Sequence, residues 1–170
     1  VECKIAQTLL ANVTTLDAFQ QLFVPLAAEA IVKALEIAIF KGNGTTQPLG
    51  ITVDTRIPEA NVITMSPSEF KSWAGWHTKV KAKMKKAYRN GTFFMNQATF
   101  DGYIDGMEDK NGQPVGRTNY GINGEETYRF MGKHVETVED ELIASYDDAA
   151  TGDVVGVFMK PTDYIVNSNL

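Results

Sequence analysis

One stretch constrains this chain more than any other. Residues 36–51 read Glu36-Ile-Ala-Ile-Phe-Lys-Gly-Asn-Gly-Thr-Thr-Gln-Pro-Leu-Gly-Ile51. A long apolar pattern stops at Gly42 and leaves through a rigid Gln-Pro-Leu-Gly exit. Nothing in it is arranged for chemistry, so it is an architectural junction.

The pattern begins well upstream. Leu16, Phe19, Leu22, Phe23, Leu26, Ala30, Ile31, Ala34, Leu35, Ala38 and Ile39 recur at helical spacing. Thr14 or Thr15 can cap this helix, and Asp17 suits its positive end. Glu29 and Lys33 form a favourable i,i+4 pair. Lys41 falls in the last turn, and Gly42 is predicted to close it as a left-handed C′ residue. The helix would be about 38 Å long. Pro25 inside it predicts a bend, or a break near Gln21. Its apolar residues cover more than one side, which predicts a surface that meets something outside this chain. The alternative is a central core helix in a compact domain.

Residues 1–13 read as a strand or an irregular lead-in, and residues 51–65 as extended chain with turns, broken by Pro58. Ser66-Pro-Ser-Glu69 is a strong helix start, with a cap, a first-turn proline and a capping-box acid. That helix is predicted to run through Phe70, Trp73, Trp76, Val80, Met84 and Ala87 until Asn90-Gly91. Residues 92–95 read as a buried strand, and a second helix is expected from Gln97 to about Met107. Residues 110–114 form a turn. Residues 115–127, rich in Gly and Asn, read as a surface loop. Extended chain follows over 128–138 with a bend at Gly132, then an acidic loop or short helix over 139–150. A strand over 153–158 and a strand or short helix over 163–166 complete the pass. Helices and strands mix without strict alternation, which predicts an α+β fold.

Composition narrows the function. The 170 residues carry 16 Lys and Arg against 21 Asp and Glu, a formal net charge of -5. That balance argues against a nucleic-acid binder, whose footprint is basic. Yet Lys79, Lys81, Lys83, Lys85, Lys86 and Arg89 crowd one segment, and acids crowd residues 136–153. A solvated helix face is the plain reading of the lysines, with a contact to the acidic patch of a neighbouring copy next. The single cysteine, Cys3, cannot form an internal disulfide, which suggests a reducing compartment. No apolar run reaches membrane-spanning length and no signal peptide is visible. The absent initiating Met suggests a processed or trimmed chain. Asn12-Val-Thr14, Asn43-Gly-Thr45 and Asn90-Gly-Thr92 match the glycosylation pattern but lack a secretory context.

Catalytic readings fail one by one. A dinucleotide fingerprint follows a strand and opens a helix, whereas the glycines of 42–50 follow a helix, and Gln47 replaces the third glycine. His77 and His134 have no metal-ligand spacing with Cys3 or a carboxylate. Tyr103 and Met107 occupy the ligand positions of a would-be calcium loop over 101–112. No Gly-x-Ser-x-Gly elbow occurs. The acid pairs Glu125-Glu126 and Asp147-Asp148 read as solvated charge. The expectation is a protein without catalytic residues, cofactor, metal or small-molecule ligand.

The order of segments then resembles a known family. Residues 36–51 resemble the motif that ends the long spine helix in major capsid proteins of tailed bacteriophages, the Hong Kong ninety-seven type of shell. Phe93-Phe-Met-Asn96 with its following helix and Asp109-Lys-Asn-Gly-Gln-Pro114 look like the family's strand, helix and turn. Phe130-Met-Gly-Lys-His-Val135 resembles its Leu-Gly-x-Pro-Val strand, with His134 where proline is common. Residues 154–166 look like its late Gly-Asp-x-x-x-Tyr-x-Ile segment, with Gly-Asp replaced.

The resemblance implies a shell subunit of a virion capsid, assembled in the bacterial host cytoplasm. Its partners would be copies of itself in pentamers and hexamers, with packaged DNA met only at the shell interior and no membrane. It implies a spine-helix part of the peripheral domain over 1–50, an axial domain over 51–160 and a return over 161–170. Gly42, Gly44, Thr45, Gln47, Pro48 and Gly50 would form the turn ending the spine helix. A loop containing Thr118, Asn119, Tyr120, Gly121, Asn123, Glu125 and Glu126 would face the capsomer axis and touch other subunits. The family's N-terminal arm, extended loop and last strands have no counterpart here, which implies a fragment that does not close shells alone. A nanocompartment shell protein, an enzyme with an unrecognised site and a nucleic-acid-binding domain are the rival readings.

Overall fold

The computed structural model describes residues 16–166. They fall into two compact units, 16–54 in one and 55–166 in the other. The expected lead-in over 1–13, the caps at Thr14 or Thr15, and Cys3 lie outside the described residues.

The first unit is built on helix α1 (Leu16–Lys41), 26 residues long. It continues through Pro25 without a break. The residues that follow, Leu26-Ala-Ala-Glu-Ala30, are among the strongest helix formers and offset the one lost donor. Phe23, Val24, Leu26, Ile31, Val32 and Leu35 are exposed by between 39% and 60%. Ala38 and Phe40, at its C-terminal end, are buried.

The second unit is α+β. Five strands form one mixed sheet: β1 (Thr92–Asn96), β2 (Gly116–Tyr120), β3 (Glu126–Phe130), β4 (Lys133–Val138) and β5 (Gly156–Met159). Their order is β2-β3-β4-β1-β5. Interior β1 runs parallel to β4 and antiparallel to β5, and the other pairs are antiparallel. The β3–β4 turn has two residues, Met131 at φ 52° and Gly132 at φ 74°. Two successive left-handed residues match the twist of a two-residue hairpin.

The predicted helix over 66–89 is instead broken. Ser66 and Glu69 do form a reciprocal capping box at the start of α2 (Pro67–Phe70). The chain then becomes extended at Ser72, whose hydroxyl caps α3 (Trp73–Trp76) by accepting from Gly75 N at 3.2 Å. A serine that can bond nearby backbone offers the chain an alternative to the next helical turn. The break lets Trp76 fold back, its Nε1 donating to Phe70 O at 2.6 Å. One wide π turn (His77–Lys81) follows, then irregular chain and a 3-10 turn (Lys86–Tyr88). The lysines therefore do not share one continuous helical face.

Other boundaries also shift. The second helix ends at Ile104: α4 (Gln97–Thr99) passes into a π turn (Phe100–Ile104). Residues 51–65 contain turns and a short 3-10 piece (Glu59–Asn61), with no named strand. The last strand starts at Gly156 rather than 153. Residues 161–163 form a 3-10 turn.

The core is aromatic. Phe70, Trp76, Val80, Phe93, Met95, Phe100, Ile104, Phe130 and Val135 form one buried cluster. Trp76 meets Phe130 edge-on at 5.0 Å, and Phe70 stacks on Tyr146 at 4.3 Å. Buried Asn96 satisfies its amide through Asp140 and Ile143 O, so the acidic segment after β4 is tied to the end of β1. No buried side-chain nitrogen or oxygen among the described residues lacks a partner.

Candidate assembly surfaces

The turn after α1 is a clamp made from backbone. Beyond Lys41 the chain reverses and runs back along the helix end. Ile51 N donates to Ile39 O at 2.8 Å and Thr52 N to Phe40 O at 3.0 Å. Thr52 Oγ1 donates to the same Phe40 O at 2.7 Å. These bonds occupy carbonyls that a helix C-terminus otherwise leaves open.

Three glycines make the reversal possible, for two reasons. Gly44 has φ +72°, the left-handed region. Gly42, expected to be the left-handed residue, is absent from the positive-φ set and serves for space. A Cβ there would lie 1.9 Å from Pro48 O, and one on Gly50 would lie 2.5 Å from both Gly42 N and Phe40 O. Asn43, not among the expected turn residues, organises the tip. Its Oδ1 accepts from Thr45 N at 3.0 Å, Thr46 N at 3.1 Å and Gln47 N at 3.3 Å. The signal for it was an Asn just past a helix end, where its side chain mimics a backbone turn. Thr45 and Gln47 thus contribute their N–H groups, and their side chains are exposed. With those N–H groups aimed at Asn43, the turn presents no phosphate cradle.

The second surface corrects the predicted loop over 115–127. Thr118, Asn119 and Tyr120 belong to β2 and Glu126 opens β3; Gly121, Asn123 and Glu125 lie in the hairpin tip. The strands pair from Gly116 with Phe130 to Tyr120 with Glu126. Gly121 N donates to Glu125 O at 2.7 Å, and Gly124 sits at φ +80°. The root is locked: Phe130 is fully buried, and a Cβ on Gly116 would lie 2.1 Å from Ile104 O. Asp105 accepts from Thr118 N at 2.9 Å on the outer edge of β2. The tip is open, with Tyr120 exposed by 75% and Ile122 by 107%. Tyr128 donates to Glu126 at 2.6 Å, and that bond raises the phenol's pKa. A rigid stalk with an apolar end is suited to contact. The turn lies in the first unit and the hairpin in the second.

The remaining polar groups hold shape. Glu69 has its pKa lowered, first by the Ser66 backbone N–H, then by the Ser66 hydroxyl and Lys79 at 3.4 Å. A shallow depression beside it is lined by Ser68, Glu69, Ser72, Ala74, Gly75 and Thr78. His77 is exposed with its ring edge-on to Trp73 at 5.4 Å, and His134 bonds Glu136 at 3.0 Å. Asp109 closes its turn by accepting from Gln113 N and then Asn111 N, which lowers its pKa. Among the described residues no group of three His, Cys, Asp or Glu could hold a metal, and no helix is long and apolar enough to cross a membrane.

An over-exposed helix, a backbone clamp and a projecting hairpin define a structural α+β subunit. The model of the phage capsid family matches residues 3–164, and the chain belongs to that family. It is thus a structural capsid protein of a bacteriophage type, from a non-enzymatic family whose members self-associate into shells. No curated protein and no solved structure matched the chain.

Proposed function

We propose that the chain is the repeating subunit of an icosahedral phage head, joined to other copies in pentamers and hexamers that enclose the genome. The observation that carries this reading is the family match, which runs through both compact units. In it, residues 1–50 form the spine part of a peripheral domain, residues 51–160 form the axial domain around capsomer centres, and residues 161–170 return towards the periphery. The hairpin from Thr118 to Glu126 meets neighbouring tips at the capsomer axis, burying Tyr120 and Ile122. Packaged DNA meets only the shell interior. Assembly takes place in the host cytoplasm and needs neither membrane nor small-molecule ligand.

Two observations support these roles. The large apolar residues of α1 keep between 39% and 60% of their surface exposed, as suits a helix with neighbours to meet. Ile122 is likewise an apolar side chain held out on a locked stalk. The test is expression of the complete protein with electron microscopy and sedimentation. Capsomers or closed particles are expected. A complete protein that stays monomeric at every concentration would overturn the reading. Ile122→Asp should reduce capsomer formation and leave the melting temperature unchanged, and normal assembly of that variant would remove the tip from the contact.

A further inference from the structure

Charge in the second unit is separated along the sheet. Lys85, Lys86 and Arg89 are exposed in the segment that leads into β1 at Thr92. Glu139, Asp140, Asp147, Asp148 and Asp153 are exposed in the segment joining β4 to β5. Because β1 and β4 are parallel, Asn96 at the exit of β1 lies beside Val138 at the exit of β4. The acidic segment is held there: Asn96 Nδ2 bonds Asp140, and Tyr146 N donates to Thr99 Oγ1 at 2.8 Å. It then feeds β5, where Gly156 lies beside Met95. By connectivity the cations lie on the segment that enters β1, and the carboxylates lie on the segment held at its exit. The strand between them spans about 16 Å at roughly 3.3 Å per residue.

Neither set is neutralised among the described residues. Among the described residues, none of Lys85, Lys86, Arg89, Glu139, Asp140, Asp147, Asp148 and Asp153 makes an ion pair. The acids bond neutral groups instead: Asp147 accepts from Tyr103, Asp148 from Ser145 and Asp153 from Ala150 N. The separation also exceeds the Debye length of about 8 Å at physiological salt.

We infer that the two ends neutralise each other between copies, the basic entry end of one subunit docking on the acidic exit end of the next. This rests on the shell reading and adds a direction to its contacts. Two unlike surfaces meet, so the contact is head-to-tail, the kind that forms rings when its rotation closes. A two-fold contact of either end with itself would set like charge against like charge. Duplex DNA at the basic end is the competing occupant, and the test separates the two.

Three charge variants of the complete protein decide the matter. Lys85→Glu, Lys86→Glu and Arg89→Glu together reverse the basic end. Glu139→Lys, Asp147→Lys and Asp153→Lys together reverse the acidic end, with Asp140 kept because it holds Asn96. The third variant carries all six. Each triple variant should lower capsomer yield at least about tenfold by sedimentation, and the six-fold variant should recover most of the parent's yield. Parent association should also weaken between about 0.05 M and 0.5 M salt. Normal assembly of either triple variant overturns the inference, as does failure of a folded six-fold variant to recover. So does a basic-end triple that assembles normally but loses duplex DNA binding. If the variants unfold, salt-independent association of the parent overturns it. A parent that forms no capsomers removes the shell reading too; a parent that assembles beside unaffected triples removes this inference alone.

Discussion

Helix α1 and the sheet unit carry similar apolar side chains and treat them in opposite ways. In the sheet unit, Phe93, Met95, Phe100, Ile104, Phe130 and Val135 are buried to 3% exposure or less. Along α1, residues of the same kind from Phe23 to Leu35 keep roughly half their surface in water. A mixed sheet with helical turns packed on it supplies its own cover. Along α1 cover is complete only at Ala38 and Phe40 among the described residues, and most helical stability comes from a packed face rather than from propensity. At about 25 cal/mol per Å² of apolar area, the uncovered side chains of α1 represent stabilisation available to a contact and not yet used by the fold. One unit covers its large apolar side chains, and along α1 they stay partly exposed.

The sharpest way to break that comparison is to truncate both sides of it. Phe130→Ala should cost about 3–5 kcal/mol in denaturant unfolding followed through the sheet unit, because the ring is fully buried among Trp76 and Phe93. Equal losses from Phe130→Ala and a surface change on α1 would refute the contrast. The clamp comes next. Gly42→Ala forces a Cβ onto Pro48 O and should cost about 1–3 kcal/mol, read as faster hydrogen exchange at the Ile51 and Thr52 amides. Retained protection there would show that the reversal does not depend on that close approach.

The capping box gives a smaller effect with a pH signature. Ser66→Ala should cost about 1 kcal/mol. Glu69 has a folded pKa below its ordinary 4.5, so its contribution is present above that value. It is lost as the pH falls through the lowered folded pKa. The stability gap between parent and Ser66→Ala should therefore narrow on acidification below pH 4.5, through the lowered pKa. A gap that stays constant would detach Glu69 from the cap. Smallest of all, Val32→Ser on α1 should change unfolding of the chain by less than about 0.5 kcal/mol. In the assembled protein the same substitution should weaken subunit association, and a large loss in the unassembled chain would mean that α1 already has its cover.

Much of this architecture was legible in residue order, and the parts that were not share one cause. The limits of α1, the turn after it, the Ser66–Glu69 box and β1 are written in signals that reach four residues or fewer. Local sterics and hydrogen bonds decide such features before the chain folds. The hairpin was missed because β2 reads Gly-Arg-Thr-Asn-Tyr, short and polar, and becomes a strand only through its pairing with β3. The division of labour between Gly42 and Gly44 depended on where Pro48 comes to rest. The break at Ser72 depended on Trp76 and Phe70 entering one core. The two charged ends became visible only when the parallel β1–β4 pair set the direction of both segments. The sequence by itself therefore determined the class of fold, the length of the exposed helix and the family motif at its end. Tertiary structure alone decided which side chains are covered, which glycine is needed for space and where opposite charges stand, because those depend on contacts between residues far apart in the chain.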